Sequence, residues 1–384
     1  MRRQYNKAKG GGGGVEDMER TYFYVEDVSG ADNTLQIKQS GSSAPTVVLE
    51  YSYDQDTWQD VGTISTTATN IIIPANGKVY LRGVNSAFGD TSNYNNIAAT
   101  RDHNVGGNIM SLLYGEDFIG KYVCKNPYSC KGLFYNNKNL VDATNLRLPA
   151  TTLALGCYQN MYYGCASLVA APTELPATTL APNCYQNMYY NCTSLVAAPK
   201  KLPAATLASS CYSYMYYSCT SLTTASEIYA TSVSQYSCQY MYYNCTSLVA
   251  ASKKLPATNL ATGCYSNMYR DCTSLTIASE LSATTLAPTC CQNMYFGCIS
   301  LTIAPELPAT TLIEQCYQNI FYGCKLINRI VALFTQAPSS TLCSNWVFGV
   351  AAKGVFVMSK EATWNPDDYR GATGVPNGWT IEYI

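Results

Sequence analysis

Charge is scarce in this 384-residue chain, and histidine scarcer. Asp, Glu, Lys and Arg make up 13% of it and the formal net charge is -1. A surface without a basic field argues against nucleic acid or an anionic membrane as the main partner. His103 is the only histidine. A Ser/His or Cys/His nucleophile could therefore run only through that residue, which reads as a solvated loop side chain with no partner beside it. No apolar run approaches the ~20 residues of a membrane span. No Cys-x-x-Cys pair offers zinc-type spacing to the 18 cysteines. The Gly10–Gly14 run precedes any strand or helix, so it is not a phosphate loop. Carboxylates that could act as a glycosidase pair are scattered. Glu116–Asp117 is the nearest candidate and reads as a solvated turn. These shortages argue against catalysis and leave no cofactor to expect.

What the chain does have is a repeat. Its clearest copy is Ala181–Pro199, APNCYQNMYYNCTSLVAAP. With the first cysteine as position zero, copies begin at Cys157, Cys184, Cys211, Ser237, Cys264, Cys290 and Cys316, with steps of 27, 27, 26, 27, 26 and 26 residues. A degenerate copy precedes them around Leu133–Tyr135 and Leu140. A fixed period of this size marks a solenoid, whose units bury a core only by stacking. Cys, Met, Cys and Leu at 0, +4, +8 and +11 fall on one narrow stripe of a helix. The Thr-, Val- and Leu-rich phrase that follows is broken by proline and reads as a short strand. The expected rung is one short helix plus one short strand. Strands stack at ~4.8 Å and helices at nearer ~10 Å, a mismatch that would curve the stack.

Two details fit that stacking. Glu174, Lys201, Glu227, Lys254 and Glu280 occupy equivalent positions and alternate in sign, which opposes a one-rung slip; Glu306 breaks the alternation. Positions 0 and +8 of a helix lie ~12 Å apart, beyond the ~7 Å reach of a disulfide. The cysteines are therefore read as buried thiols serving as small apolar core residues, with Cys291 replacing the usual tyrosine.

The Met-Tyr-x-x-Cys-x-x-Leu core (Met188, Tyr189, Cys192, Leu195) resembles the Ala-Phe-x-x-Cys-x-x-Leu core of BspA-type leucine-rich repeats. The LPATTLAxxCYxxMYxxCTSL wording is similar to a subset found in gut Bacteroidales bacteria and their crAss-like phages. The likeness covers roughly residues 130–330. Met and Tyr replace the family's Ala and Phe, and the period is longer than in the commonest copies. The resemblance implies adhesion or surface display, and no catalytic residues to carry over.

Outside the repeat, residues 1–19 read as a basic, glycine-rich anchor peptide. Arg2, Arg3, Lys7 and Lys9 are its candidate contacts, and no apolar signal-peptide core is seen. Residues 20–103 alternate with period two between turn signals (Thr21–Val25, Leu35–Lys38, Val47–Tyr53, Ile71–Ile73, Val79–Val84) and predict an all-β sandwich. Asp54 and Asp56 in its YSYDQDTW hairpin favour a structural turn over calcium, which wants six or more oxygens. Residues 104–128 form a linker and N-terminal cap, with the apolar Ile109–Tyr114 against the solenoid's open end. The solenoid spans 129–324, about eight rungs of 26–27 residues, and 325–384 reads as an irregular C-terminal cap. Asn191 and Asn244 match the glycosylation triplet but read as the repeat's own wording.

The chain carries 33 tyrosines. Position +6 lies on the far side of the helical stripe and holds Tyr163, Tyr190, Tyr217, Tyr243, Arg270, Phe296 and Tyr322. An outward aromatic ladder can anchor a protein interface or stack on sugars; equally, its rings can stack on one another across rungs. Position +5 (Tyr162, Tyr189, Tyr216, Tyr242, Tyr269, Tyr295) belongs to packing.

The whole reads as an α/β leucine-rich-repeat solenoid preceded by an all-β sandwich, non-enzymatic and built to display a surface. The favoured role is a phage virion component, a head decoration or fibre-like attachment assembled in the host cytoplasm. Its N-terminus would hold other virion proteins, its solenoid would meet a host surface protein or glycan, and it would belong to a homo-oligomeric or larger assembly. Reduced cysteines fit that compartment. A bacterial cell-surface adhesin is the alternative, and a carbohydrate-active enzyme a distant third.

Overall fold

The computed structural model describes residues 15–384, with side chains from Met18 onward. Eight strands precede the repeat: β1 (Phe23–Asp27), β2 (Asn33–Gln39), β3 (Glu50–Ser52), β4 (Gln59–Asp60), β5 (Thr69–Ile73), β6 (Lys78–Arg82), β7 (Asn95–Ala99) and β8 (His103–Asn108). They form two sheets, one ordered β5-β2-β7 and one containing β8-β1-β6-β3-β4. Period-two burial is clearest in β2, where Asn33, Leu35 and Ile37 point inward and Thr34, Gln36 and Lys38 outward.

The strand β8 runs across the boundary expected at 103/104, so residues 104–108 are sheet rather than linker. On one side β8 pairs antiparallel with β1, Val105 opposite Val25. Its other side takes strands from the repeat region. After β9 (Val123–Cys124), β10 (Leu140–Asp142) and β11 (Leu146–Arg147) both pair with β8 in parallel, Leu140 opposite His103 and Leu146 opposite Gly107. The first rung is thus hydrogen-bonded onto the preceding sheet. The apolar segment expected to cap this end is buried at Ile109, Met110, Leu112 and Leu113.

The parallel stacking continues past β12 (Thr152–Leu153), and counted from the first rung the chain is a β-solenoid of about ten turns with few helices. The helix expected in each rung is absent. Residues −1, +3 and +7 of every copy have positive φ: Asn183, Asn187 and Asn191 at 57°, 55° and 57°, for example, and Gly156, Asn160 and Gly164 at 57°, 57° and 71°. An α-helix tolerates no such residue, whereas Asn and Gly enter the left-handed region at least cost. The arm is a run of four-residue turns. Even positions donate within the rung, Met188 N–H to Tyr185 C=O at 3.1 Å. Odd positions donate to the next rung, Tyr185 to Cys211 C=O at 3.0 Å and Tyr189 to Met215 C=O at 2.8 Å. Both arms therefore advance at hydrogen-bonding distance. The spacing mismatch, and the curvature drawn from it, disappears.

The extended arm carries only short parallel pairings, Lys201 opposite Glu227 and Lys254 opposite Glu280. That is the register the alternating charges favour. Lys254 Nζ lies 2.6 Å from Glu280 Oε1, exposed and worth at most about 1 kcal/mol. The period also runs on past Cys324, into the expected irregular cap. Asn319 donates to Ser344 and Phe321 to Trp346, with Asn345 at φ 52°. Leu342, Trp346 and Phe348 stand where Cys, Met and Tyr stood before, which hid this rung from the pattern. Parallel strands Arg329–Ala332, Val355–Met358 and Thr380–Tyr383 continue the stack.

All 18 cysteines are free and buried. Position +8 shows why cysteine recurs. Each thiol there donates to the +5 carbonyl of the preceding rung, Cys192 to Tyr162 at 3.0 Å, Cys219 to Tyr189 at 3.1 Å and Cys245 to Tyr216 at 3.1 Å. A serine would be costlier to bury and an alanine would leave that contact unmade. Burial pushes the Cys165 and Cys184 thiols up to about 12, so they stay protonated at neutral pH.

A second coupling ties position +15 to the +5 ring of the next rung. Where +15 is serine, its backbone N–H donates to that tyrosine's hydroxyl: Ser226 to Tyr242, Ser252 to Tyr269, Ser279 to Tyr295, at 3.0, 3.2 and 3.1 Å. Where +15 is proline there is no N–H to give. Opposite Pro172, the buried Tyr189 hydroxyl has no hydrogen-bond partner; opposite Pro305 the ring is Phe321, which needs none. We expect Tyr189→Phe to leave stability unchanged or raise it by up to about 1 kcal/mol. Tyr242→Phe, which strands the Ser226 N–H, should cost about 1–3 kcal/mol. Urea midpoints of the two variants check this, and equal effects would refute the coupling.

Candidate functional site: a stacked aromatic ladder

The turn arm places +6 side chains one above another. All seven sequence-selected residues, Tyr163, Tyr190, Tyr217, Tyr243, Arg270, Phe296 and Tyr322, fall in one file and are half-buried rather than fully outward. Ring centroids are 4.6 Å apart for Tyr163–Tyr190, 4.5 Å for Tyr190–Tyr217 and 4.6 Å for Tyr217–Tyr243, with planes within 6° of parallel. Arg270 takes a ring's place, its guanidinium 5.8 Å from the centre of Tyr243 and 4.3 Å from that of Phe296. A cation over a ring face contributes about 0.5–1 kcal/mol.

The file is longer than the sequence showed. Tyr135 stacks on Tyr163 at 4.7 Å and Tyr94, from the strand region, packs on Tyr135 at 4.9 Å. At the other end Phe348 lies 4.7 Å from Tyr322. Tyr94 lies outside the repeat, and Phe348 lies in the rung whose wording had diverged. Neither carried a periodic signal.

This geometry decides what the ladder can present. Rings this close leave no gap for a sugar ring between them. The faces within the file are spent on one another, and a ligand meets edges and hydroxyls. Burial, followed by the charge of neighbouring phenolates, raises the Tyr190 and Tyr217 hydroxyls, which keeps them neutral donors. Beside this file, position +5 forms a second stack inside the core. Tyr189–Tyr216 and Tyr216–Tyr242 are 5.3 and 5.2 Å apart, with every ring fully buried.

The other candidates fall elsewhere. Arg2, Arg3, Lys7 and Lys9 lie outside the described residues. His103 is not a solvated loop side chain. It is 1% exposed on β8, its Nδ1 2.9 Å from the Arg101 carbonyl and its Nε2 2.9 Å from Asn137 Nδ2. Nδ1 therefore carries the proton and Nε2 accepts. Asp54 accepts from the backbone N–H groups of Asp56 and Thr57, both at 2.8 Å, as a structural turn requires. Glu116 pairs with Arg82 at 2.6 Å in the short turn Gly115–Phe118. Asn191 and Asn244 hold left-handed turn positions, which accounts for the recurring asparagine. Among the described residues, no three His, Cys, Asp or Glu side chains come together as a metal site, and no helix is long and apolar enough to cross a membrane.

No protein-family model matches the sequence, and no curated protein matches it. Among solved structures, a leucine-rich repeat protein from Bacteroides ovatus is similar over 66% of this chain and 86% of its own, at 11% identity and a TM-score of 0.24. The solenoid assignment rests on this chain's own rung-to-rung backbone bonds and on the buried leucines at +11, Leu168, Leu195, Leu222, Leu248, Leu275 and Leu301.

Proposed function

We propose that this chain is a non-enzymatic display protein of the BspA-type repeat class, mounted on a phage virion as a head decoration or fibre-like attachment. Its basic N-terminal peptide would hold a neighbouring virion protein, and its solenoid would face a host surface or glycan. The observation that carries the display reading is the ring-stacked file from Tyr94 to Phe348, interrupted only by Arg270. Its backbone is fixed rung to rung, so it presents a regular row of edges and hydroxyls that needs no ordering on binding. The thiols are buried and His103 is bonded at both nitrogens, so these groups are committed to packing. Eighteen free thiols also suit assembly in a reducing compartment.

Cross-linking mass spectrometry on purified native particles tests the reading. Links from Lys7 and Lys9 into a capsid, portal or tail protein are expected. Finding the chain instead in a bacterial envelope fraction, with no such links, would move it to the cell-surface adhesins.

A further inference from the structure

The polar end of the ladder forms a recess that the display reading leaves unused. Where β2 and β7 meet the first rung, a cavity of about 590 Å³ opens beside Tyr94 and Tyr135. That size suits a small ligand or one or two sugar units. Its wall is built from amides whose orientation is fixed. Asn96 Nδ2 donates to the Tyr135 carbonyl at 3.0 Å, Asn139 Nδ2 to the Ala99 carbonyl at 3.1 Å, and Asn137 Nδ2 to the Ile97 carbonyl at 3.3 Å. On the strand side Gln36 Nε2 donates to Asn70 Oδ1 at 3.2 Å. Asn96 and Asn137 spend both N–H groups on the protein, Asn137 with His103 Nε2 as its second partner, and Asn139 and Gln36 spend one each. No hydrogen bond among the described residues ends on the matching side-chain oxygens, which remain as acceptors.

Two cations complete the wall. Lys38 from β2 and Lys138 from the loop before β10 both line the recess, both are exposed, and no Asp or Glu lines it with them. Neither ammonium makes an ion pair within the described residues. A cluster of oriented acceptors calls for a ligand rich in hydroxyl donors, which a DNA backbone lacks, an RNA backbone supplies only once per nucleotide, and a saccharide supplies several times per ring. Two unpaired lysines call for negative charge on the same ligand. The recess opens where the tyrosine file begins, so a bound chain could run on along its hydroxyl edge.

We infer that this recess is a binding site for an acidic saccharide, with its hydroxyls on the amide oxygens and its carboxylate or sulfate between Lys38 and Lys138. The inference rests on the display reading and gives it a ligand class. The test uses the full chain on an array of oligosaccharides bearing uronate, sialate or sulfate, each beside its neutral counterpart, followed by calorimetric titration of the best acidic binder. Acidic members should be retained and neutral ones bound at least about tenfold more weakly. The double variant Lys38→Gln, Lys138→Gln, altered only at exposed side chains, should lose about tenfold or more in affinity while its circular dichroism and urea midpoint stay unchanged. Retention of no acidic member overturns the site, as does equal binding of acidic and neutral members or full affinity in the double variant. Particle cross-linking tests the display role alone. A chain mounted on virions that ignores acidic sugars would refute this site and leave that role standing.

Discussion

Replacing Tyr216 by alanine should lower the unfolding free energy by about 3–5 kcal/mol, while the same change at the adjacent Tyr217 should cost about 1–2 kcal/mol. The residues are sequence neighbours in one turn, but they belong to different files. Tyr216 is fully buried between Tyr189 and Tyr242, and its hydroxyl sits 3.5 Å from Ser226 Oγ. Truncation there opens a cavity that the hydrogen-bonded rungs above and below hinder from closing. Tyr217 loses two stacked contacts, at 4.5 and 4.6 Å, from a half-buried position that water can refill. Because a solenoid's stability is close to a sum of rung and interface contributions, the Tyr216 variant should also split denaturation into two transitions. Equilibrium urea unfolding of both variants decides the matter. Equal losses would mean that the outer file is as structural as the inner one, which would remove the reason to treat it as a presented surface.

The contrast between those neighbours was only partly legible in the sequence. Period and register were readable, because Cys, Met, Cys and Leu recur on a fixed count and Lys254 meets Glu280 as the charge alternation requires; the number of rungs was not, since the rung at Leu342–Phe348 had lost that wording. The local conformation was misread because a period of four and a period of 3.6 diverge little over eight residues. Cys184, Met188 and Cys192 line up on either. The discriminating signal was the left-handed-tolerant residue at every fourth place, Asn183, Asn187 and Asn191, in segments where a helix would want none. The buried tyrosine at +1 beside the one at +5 carries the same message, since paired inward residues suit four-residue turns. Strands β7 and β8 are faint in the sequence because NNIAA and HNVGGN carry one β-branched residue each, Ile97 and Val105, among Asn, Gly and Ala, which disfavour strands. They form through sheet neighbours the local sequence cannot reveal.

The ladder was legible as a file of positions but not as a surface. Whether its rings offer faces or edges depends on the rise per rung in the turn arm. That rise follows from the odd-position N–H groups bonding the next rung, which a helical arm would have used internally. At helix-packing separation the faces would have been open to a sugar. At 4.5–4.7 Å they are closed, and saccharide recognition is better sought at the amide-lined recess beside Tyr94.

Acidification should uncouple the two parts of this molecule at the residue that joins them. His103 is held at about 4, down from 6.5. Burial is the main cause, opposed by the bond to the Arg101 carbonyl and by the charges of Asp102 and Asp27. The unfolded chain takes up a proton near 6.5 and the folded chain only near 4. Stability from this group is therefore complete above about pH 6.5, falls as pH drops, and levels out below about 4. The total loss is roughly 3 kcal/mol. Asp27 acts in a separate, lower window. Burial pushes its carboxyl up, but bonds from Ser29, Asn76 and Asn33 outweigh that and hold it at about 2, so its contribution is lost only as pH falls from 3.8 toward 2. The site of the first loss matters. His103 N–H donates to Asn139 C=O at 3.0 Å and its ring faces Asn137, both from the first rung. A proton on Nε2 would set two donors against each other there and loosen the seam between β8 and β10. Urea midpoints of the wild type at pH 7, 5.5 and 4.5 should fall steadily, and His103→Gln, which cannot titrate, should flatten that slope while lowering stability at pH 7. An unchanged slope in the variant would assign the acid sensitivity to other groups and leave the seam without its pH dependence.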